Sequence, residues 1–217
     1  EWSVIFAEAQ SAGRGRRAKV WQSAHGAGLY FTAVLYPRLA PAQLGLLPLL
    51  VGASLAQSIL KQTGIRTQLK WSNDVLSTDG RKLCGVLLER TARAVLLGVG
   101  INVKCQDFPP EFHAAALEEF APVERFVLLE QIVHDLQNEY ALFLEQPKYA
   151  LQLWKAQPNT LGQTVRVLEP NGAVWQGLAL DIDSSGGLVL QTPTQTKIIH
   201  AAEVSLERGS GVSSVGF

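Results

Sequence analysis

Apolar residues recur along this chain in more than one rhythm. Ser3-Val4-Ile5-Phe6-Ala7 and Gly28-Leu29-Tyr30-Phe31-Thr32-Ala33-Val34-Leu35 are short runs rich in β-branched and aromatic residues, the second stopped by Pro37, and both predict strands. From residue 41 to 61 apolar residues continue almost unbroken toward Gly64, which predicts a buried helix with a glycine stop. Thr67-Gln68-Leu69-Lys70-Trp71 predicts a strand. Ser77-Thr78-Asp79-Gly80 predicts a turn that closes a hairpin onto residues 82–89, and residues 94–103 predict a further strand carrying Gly98 and Gly100. Beyond a proline-containing loop at 106–122, the period becomes helical. Val127, Leu128, Ile132, Leu136, Tyr140 and Phe143 predict a helix over 126–144, and a shorter one follows over 149–154.

Near Pro158 the pattern changes again. From Leu161 onward, short alternating runs are separated by the turn signals Pro170-Asn171-Gly172 and Asp183-Ser184-Ser185-Gly186-Gly187. Such spacing predicts a small all-β barrel of about 50 residues, a modest domain. The expected organisation is a first domain over 1–158, a second over 159–208 and a loose Gly/Ser-rich tail over 209–217. The fold class is α+β: a mixed sheet with packed helices, followed by the barrel. The chain shows no internal repeats.

Composition narrows the function. A hydrophobic fraction of 47% over 217 residues supports a folded core rather than disorder. Lys+Arg and Asp+Glu are both 19, and this balance weighs against nucleic acid or an anionic membrane as partner. Cys84 and Cys105 have no metal or redox spacing and fit a reducing, cytoplasmic setting. No signal peptide is visible. The apolar run over 44–56 is interrupted by Gly45, Pro48 and Ser54 and falls short of the roughly 20 residues that span a bilayer. The chain starts at Glu1 and contains no methionine, so N-terminal sequence is expected to have been removed or left out.

Four segments carry candidate chemistry. Gly13-Arg14-Gly15-Arg16-Arg17-Ala18-Lys19-Val20-Trp21 packs four cations and two glycines into nine residues ending in an indole. Glycine permits close backbone approach, and arginine offers a planar fork for carboxylate or phosphate. Taken alone, the segment also reads as a solvated basic turn. Lys70-Trp71-Ser72-Asn73-Asp74 reads alone as a turn, and Arg81-Lys82-Leu83-Cys84-Gly85-Val86-Leu87-Leu88-Glu89 as an edge strand with a cationic start. Gly98-Val99-Gly100-Ile101-Asn102-Val103 reads equally as a ligand approach or a bulge. It lacks the third glycine and following helix of a dinucleotide fingerprint, and no P-loop run occurs in the chain.

In this order, the four segments resemble the catalytic part of biotin protein ligases, without a DNA-binding domain. In that family a Gly-Arg-Gly-Arg-x-Gly loop, a Lys-Trp-Pro-Asn-Asp turn, an Arg-Lys-Leu-x-Gly-Ile-Leu-x-Glu strand and a Gly-Ile-Asn strand follow one another. The C-terminal barrel ending in Ala202-Glu203-Val204-Ser205-Leu206 resembles the family's Src-homology-3-like cap. The resemblance implies an enzyme that activates biotin with ATP and Mg²⁺ to biotinyl-AMP. Biotin then passes to a lysine of a biotin carboxyl carrier protein. It also implies a possible homodimer.

By the same resemblance, Gln10, Gly13 and Arg14 line the biotin side, and Gly85 and Gly98 leave room for the bicyclic ring. Arg16 and Trp21 hold the phosphate and adenosine part, and Asn73 and Asn102 contact the nucleotide. Lys82 bridges the biotin carboxyl and the α-phosphate, and Asp74 receives or orients the acceptor amine, as base or as electrostatic guide. The metal ligands are unknown.

Elementary electrostatics explains such a set. Two anions must meet, at about 4 kcal/mol per unit-charge pair at 4 Å and an effective dielectric of 20. Fixed cations such as Arg14, Arg16 and Lys82 offset this repulsion. Neutralising a free lysine at pH 7 costs roughly 4–5 kcal/mol. Three departures from the family stand out: Ser72 replaces proline, Ala18 replaces glycine, and the Ser-Thr-Asn biotin segment is absent after Glu1, so it lies upstream or the pocket is incomplete. The alternatives are a lipoate or octanoate ligase, although the Gly-Gly-Gly run after an Arg-Arg pair is missing, and a non-enzymatic binding module.

Overall fold

The structure is a computed structural model that describes residues 2–200 and 202–206. The tail expected over 209–217 lies outside the described residues. Contacts divide the chain into two units, Glu1–Asn159 with Ser184–Gly186, and Thr160–Asp183 with Gly187–Phe217.

The first unit is built on six strands: β1 (Trp2–Ala7), β2 (Gly28–Leu35), β3 (Thr67–Lys70), β4 (Asp74–Ser77), β5 (Lys82–Arg90) and β6 (Val95–Asn102). Their order is β1-β2-β6-β5-β4-β3. The expected mixed sheet is antiparallel throughout. The reason is parity. After β2 the chain crosses to the far edge, and three successive hairpins bring β6 back against β2 pointing the opposite way. Among the described residues, parallel pairing occurs only as isolated bridges, Leu69 with Asn159 and Lys82 with Ala114. β4 is an addition to the sequence reading, which treats the stretch around Asp74 as a turn.

The crossing is made by α1 (Pro41–Leu44) and α2 (Leu47–Thr63), two pieces where the sequence predicts one helix. Pro48 sits in the first turn of α2, where a missing N–H costs nothing. Gly64 ends the helix at φ +72°, donating its N–H to Leu60 O at 2.9 Å. α2 is buried on nearly every side, because it lies between β3–β5 and the helices α3 (Arg125–Glu145) and α4 (Tyr149–Lys155). The 41–63 stretch is long and apolar enough to cross a membrane by length and composition, with mean hydropathy 1.5; 67% of its most apolar window is buried in this fold.

Two polar ties fix this layer. Ser58 Oγ donates to Asp135 Oδ2 at 2.9 Å between α2 and α3. At the start of α3, Arg125 grips Glu8 with both Nη atoms (2.7 and 3.1 Å) and Gly28 O (3.1 Å). It thereby ties the exit of β1 to the entry of β2, the two ends of the arginine-rich loop.

The second unit contains β7 (Thr164–Leu168), β8 (Val174–Ile182), β9 (Leu188–Gln191), β10 (Thr196–Ile199) and β11 (Glu203–Leu206), all antiparallel in the order β10-β9-β8-β7-β11. Val165, Val167, Ala179, Leu188, Leu190 and Val204 form its core. A register shift between Ala179 and Asp181 bends β8. β10 and β11 share no pairing among the described residues, so the five strands of the expected small barrel form an open sheet.

Candidate active site

Strand alternation gives the six-stranded sheet two unlike faces. Leu29, Phe31, Ala33 and Leu35 of β2 and Val95, Leu97, Val99 and Ile101 of β6 are buried on one side. The opposite parity carries Thr32, Gly85, Leu87, Gly98 and Gly100. Register sets Gly85 directly opposite Gly100, and Gly98 opposite Leu87 on one side and Thr32 on the other. The three glycines therefore leave a band of bare backbone on β5 and β6, bordered by Tyr30, Thr32 and Leu87.

The arginine-rich loop is a narrow hairpin. Trp21 N–H donates to Gly13 O at 2.9 Å, Gly15 N–H donates to Lys19 O at 2.7 Å, and Arg14 bridges Val20. Its tip is a 3-10 turn at Arg16–Ala18 with Arg17 at φ 54°. Gly13 is required where it stands: a Cβ there would lie 2.4 Å from Trp21 O and 2.9 Å from Gln10 Oε1.

The hairpin lays the Trp21 indole on the glycine band. A Cβ at Gly100 would lie 2.4 Å from Trp21 Cε2, and one at Gly85 would lie 2.9 Å from Cζ3. Gly98 differs, since a Cβ there would meet only Leu87 at an ordinary 3.6 Å. The pair that admits a flat ring is thus Gly85 with Gly100, and Gly100 is a residue that sequence reasoning placed but gave no role. Trp21 Nε1 and Gln22 Oε1 are buried with no hydrogen-bond partner among the described residues. Unpaired buried polar atoms are expensive in a finished core and ordinary where a ligand docks.

Beside the indole lies a charge cluster. Lys82 Nζ is 5.3 Å from the Trp21 ring centroid and 2.7 Å from Asp74 Oδ1. Lys70 Nζ is 3.4 Å from the other oxygen, Asp74 Oδ2. Burial pushes the Asp74 carboxyl up, but Lys82 and Lys70 outweigh it and hold the group below the usual carboxylate range. Sequence reasoning gives Lys70 no role as a charge partner, although its four-residue spacing from Asp74 within one motif carries that signal. Cys84, on the neighbouring position of β5, is buried with its thiol pushed far up, which leaves it inert packing.

The remaining candidates separate into groups. Arg16 Nη1 donates to Ser72 Oγ (2.8 Å) and Asn73 Oδ1 (2.7 Å), so the loop tip is hooked onto the turn before Asp74. Asn73 in turn donates to Val86 O at 2.7 Å. Arg14 instead reaches outward to Glu89 at 3.1 Å, on the exposed surface. Gln10 accepts from Ser23 Oγ at 2.7 Å at the loop base. Asn102 is buried at 3% exposure, and its Nδ2 donates to Lys82 O and Ala115 O, both at 3.2 Å. It supports the backbone at the start of β5, next to the site.

A concavity of about 520 Å³ along 118–124 is lined by Glu118, Glu119 and Glu124, its neighbouring Arg81 is already paired with Glu119, and it does not suit an anionic ligand. No three His, Cys, Asp or Glu side chains converge as metal ligands among the described residues, and Asp74 is already held by two lysines. These residues do not form a Mg²⁺ cage of their own.

The sequence signature of the Biotin/lipoate A/B protein ligase family matches residues 2–106, and that of the Biotin protein ligase C terminal domain matches residues 160–207. The chain is 33% identical over 218 residues to the bifunctional ligase/repressor BirA of Bacillus subtilis, covering 95% of this chain and 66% of that protein. It is 32% identical to the biotin–[acetyl-CoA-carboxylase] ligase of Paracoccus denitrificans, covering 92% of this chain and 88% of that protein. The solved biotin protein ligase of Aquifex aeolicus, in complex with biotin and ATP, superposes with a TM-score of 0.83 at 30% identity, over 94% of this chain and 88% of that one. A signature match over residues 2–106 and relatives above 30% identity over most of both chains together show that the chain belongs to the biotin/lipoate A/B protein ligase family.

Proposed function

We propose that the protein is an ATP-dependent biotin protein ligase. It makes biotinyl-AMP and passes biotin to a lysine of a biotin carboxyl carrier protein. The observation that carries this reading is the Lys82–Asp74–Lys70 cluster at the end of a glycine band roofed by an arginine hairpin. A flat neutral ring fits the band, and anions fit the cluster.

In the first step a biotin carboxylate oxygen attacks the α-phosphorus of ATP. The bond from that phosphorus to the bridging oxygen breaks, and pyrophosphate leaves. Lys82 turns from Asp74 to the meeting anions and offsets their repulsion. Arg16 holds the phosphate side, and its bonds to Ser72 and Asn73 keep the hairpin closed over the anhydride against water. Trp21 slides from the glycines to pack on the adenosine. Gly85 and Gly100 carry the biotin ring, Gln10 and Gly13 border it, and Arg14 reaches it by leaving Glu89, with Asn73 and Asn102 bracing the nucleotide end. Mg²⁺ belongs with the ATP phosphates, and no step is assigned to it.

In the second step the carrier lysine nitrogen bonds to the biotinyl carbonyl carbon, the acyl C–O bond to AMP breaks, and the surplus proton leaves by way of Asp74. A cytoplasmic location and a homodimer belong to the same reading, without an assigned interface. Pyrophosphate release from Mg-ATP with biotin, and with octanoate in parallel, tests it. Biotin-dependent release is expected. Release with octanoate alone moves the protein to the lipoate side of the family, and salt-sensitive nucleic-acid binding without either response makes it a binding module.

A further inference from the structure

Asp74 stands on β4 between two strands that each supply one lysine. Lys70 and Asp74 are direct cross-strand partners on β3 and β4, and Asp74 pairs with Gly85 on β5. The carboxylate is only 13% exposed and has a lysine on each oxygen. The two lysines are not equivalent. Lys82 faces the glycine band: its Nζ lies 3.2 Å from where a Gly85 Cβ would be, and it is stacked near the Trp21 ring. Lys70 is on the edge strand, on the side of Asp74 away from that band.

This asymmetry has a consequence for two-step chemistry, and it rests on the proposed ligase reading. Any anion on the glycine band draws Lys82 away from Asp74. A carboxylate this deeply buried, left with no cation, takes up a proton. It then has no electron pair to offer the carrier lysine in the second step. We propose that Lys70 is the resident counter-ion of Asp74, a positioning residue that keeps the carboxylate ionised and aimed while Lys82 serves the adenylate. Asp74 Oδ2 stays paired with Lys70, Oδ1 is released by Lys82, and Oδ1 becomes the atom that meets the incoming amine. The proton lost by that amine as the N–C bond forms and AMP leaves goes to Oδ1 and then to water.

The charged and titratable groups facing Asp74 are Lys70 from β3 and Lys82 and the Cys84 thiol from β5, while the loop brings Arg16 onto the adjacent Ser72 and Asn73. Cys84 is neutral throughout the working range, because burial pushes its thiol far up. Lys70 therefore remains as the near cation on Asp74 once Lys82 has moved.

The test is single-turnover transfer from preformed enzyme–biotinyl-AMP to a biotin carboxyl carrier domain, followed from pH 5 to 8. In Lys70→Ala the acid limb of the rate profile is expected about one pH unit higher than in wild type, with Lys70→Arg restoring it. Lys70→Gln carries the same expectation and replaces Lys70→Ala should the shorter side chain unfold the protein. A limb unmoved in these variants, a uniform loss at every pH, or failure of Lys70→Arg to restore it overturns the proposal. Wild type is run alongside. If it shows no biotin-dependent pyrophosphate release, the ligase reading falls and the role of Lys70 with it. Release in wild type with an unmoved limb in the variant removes only the role of Lys70.

Discussion

The two faces of the six-stranded sheet are made from the same strands and share almost no chemistry. On one face, the large apolar side chains of β2 and β6 are buried, with α3 against β2 and α2 against β3–β5. On the other, Gly98, Gly100 and Gly85 leave bare backbone, and what lies there is an indole, a lysine and a hairpin of arginines. One residue of register separates the two roles, because successive side chains point to opposite faces. Stability is concentrated on the first face, and the second is left free to be shaped around a ligand. Substitutions that respect this division should damage one property and spare the other.

The largest effect is expected for Lys82→Ala. Removal of the cation at the meeting point of two anions should lower biotinyl-AMP formation by about a thousandfold, the upper range for loss of one electrostatic donor. Asp74 keeps Lys70, so circular dichroism should still report a folded protein. Full activity in this variant would erase the distinction between the faces at its most important point. Leu97→Ala tests the opposite face. Leu97 is 2% exposed on β6, and its truncation should cost about 2–5 kcal/mol in urea unfolding while leaving biotin affinity unchanged below the transition.

The glycine band supplies a finer test. Gly100→Ala puts a methyl group into the Trp21 ring and should weaken biotin and ATP binding about tenfold by calorimetry. Gly98→Ala has room in this structure and should fold with wild-type stability. If it nonetheless loses biotin affinity, the ligand extends over Gly98, and if it binds normally, the band ends at Gly100. The smallest effect is expected for Ser72→Ala. It removes one of the two acceptors of Arg16 and leaves Asn73, so adenylate should escape about fivefold faster in a chase experiment.

Much of the helix-covered face was legible in the sequence. The apolar run 28–35 coincides with β2, Gly64 stops α2 where its lack of a side chain suggests, and the helical spacing after residue 126 gives α3. These elements obey one rule each, and the rule is local. The open face was legible as motifs but not as geometry. β4 was hidden because it is four residues long and its first residue, Asp74, follows Asn73 in what reads as turn composition. Gly98 and Gly100 are indistinguishable as letters; only the register against Gly85 and the position of Trp21 single out Gly100. Asn102 reads as a polar residue in a glycine strand, yet its amide is committed to two backbone carbonyls. Lys70 gains its meaning from a cross-strand partner. In each case the missing information was which residue stands opposite, and that is decided by long-range pairing.

The Trp21 indole lying on Gly85 and Gly100 has a consequence for how affinity is measured. A groove covered by its own chain is already engaged by an intramolecular competitor, tethered within a hairpin's length. Every ligand must win an exchange rather than fill a void. The observed dissociation constant is therefore the intrinsic one divided by the fraction of molecules whose indole has lifted. Two proteins with identical contacts to biotin would differ in apparent affinity if their hairpins differed in rest position. Selection acting on the hairpin alone would then tune the ligand concentration at which half the sites fill.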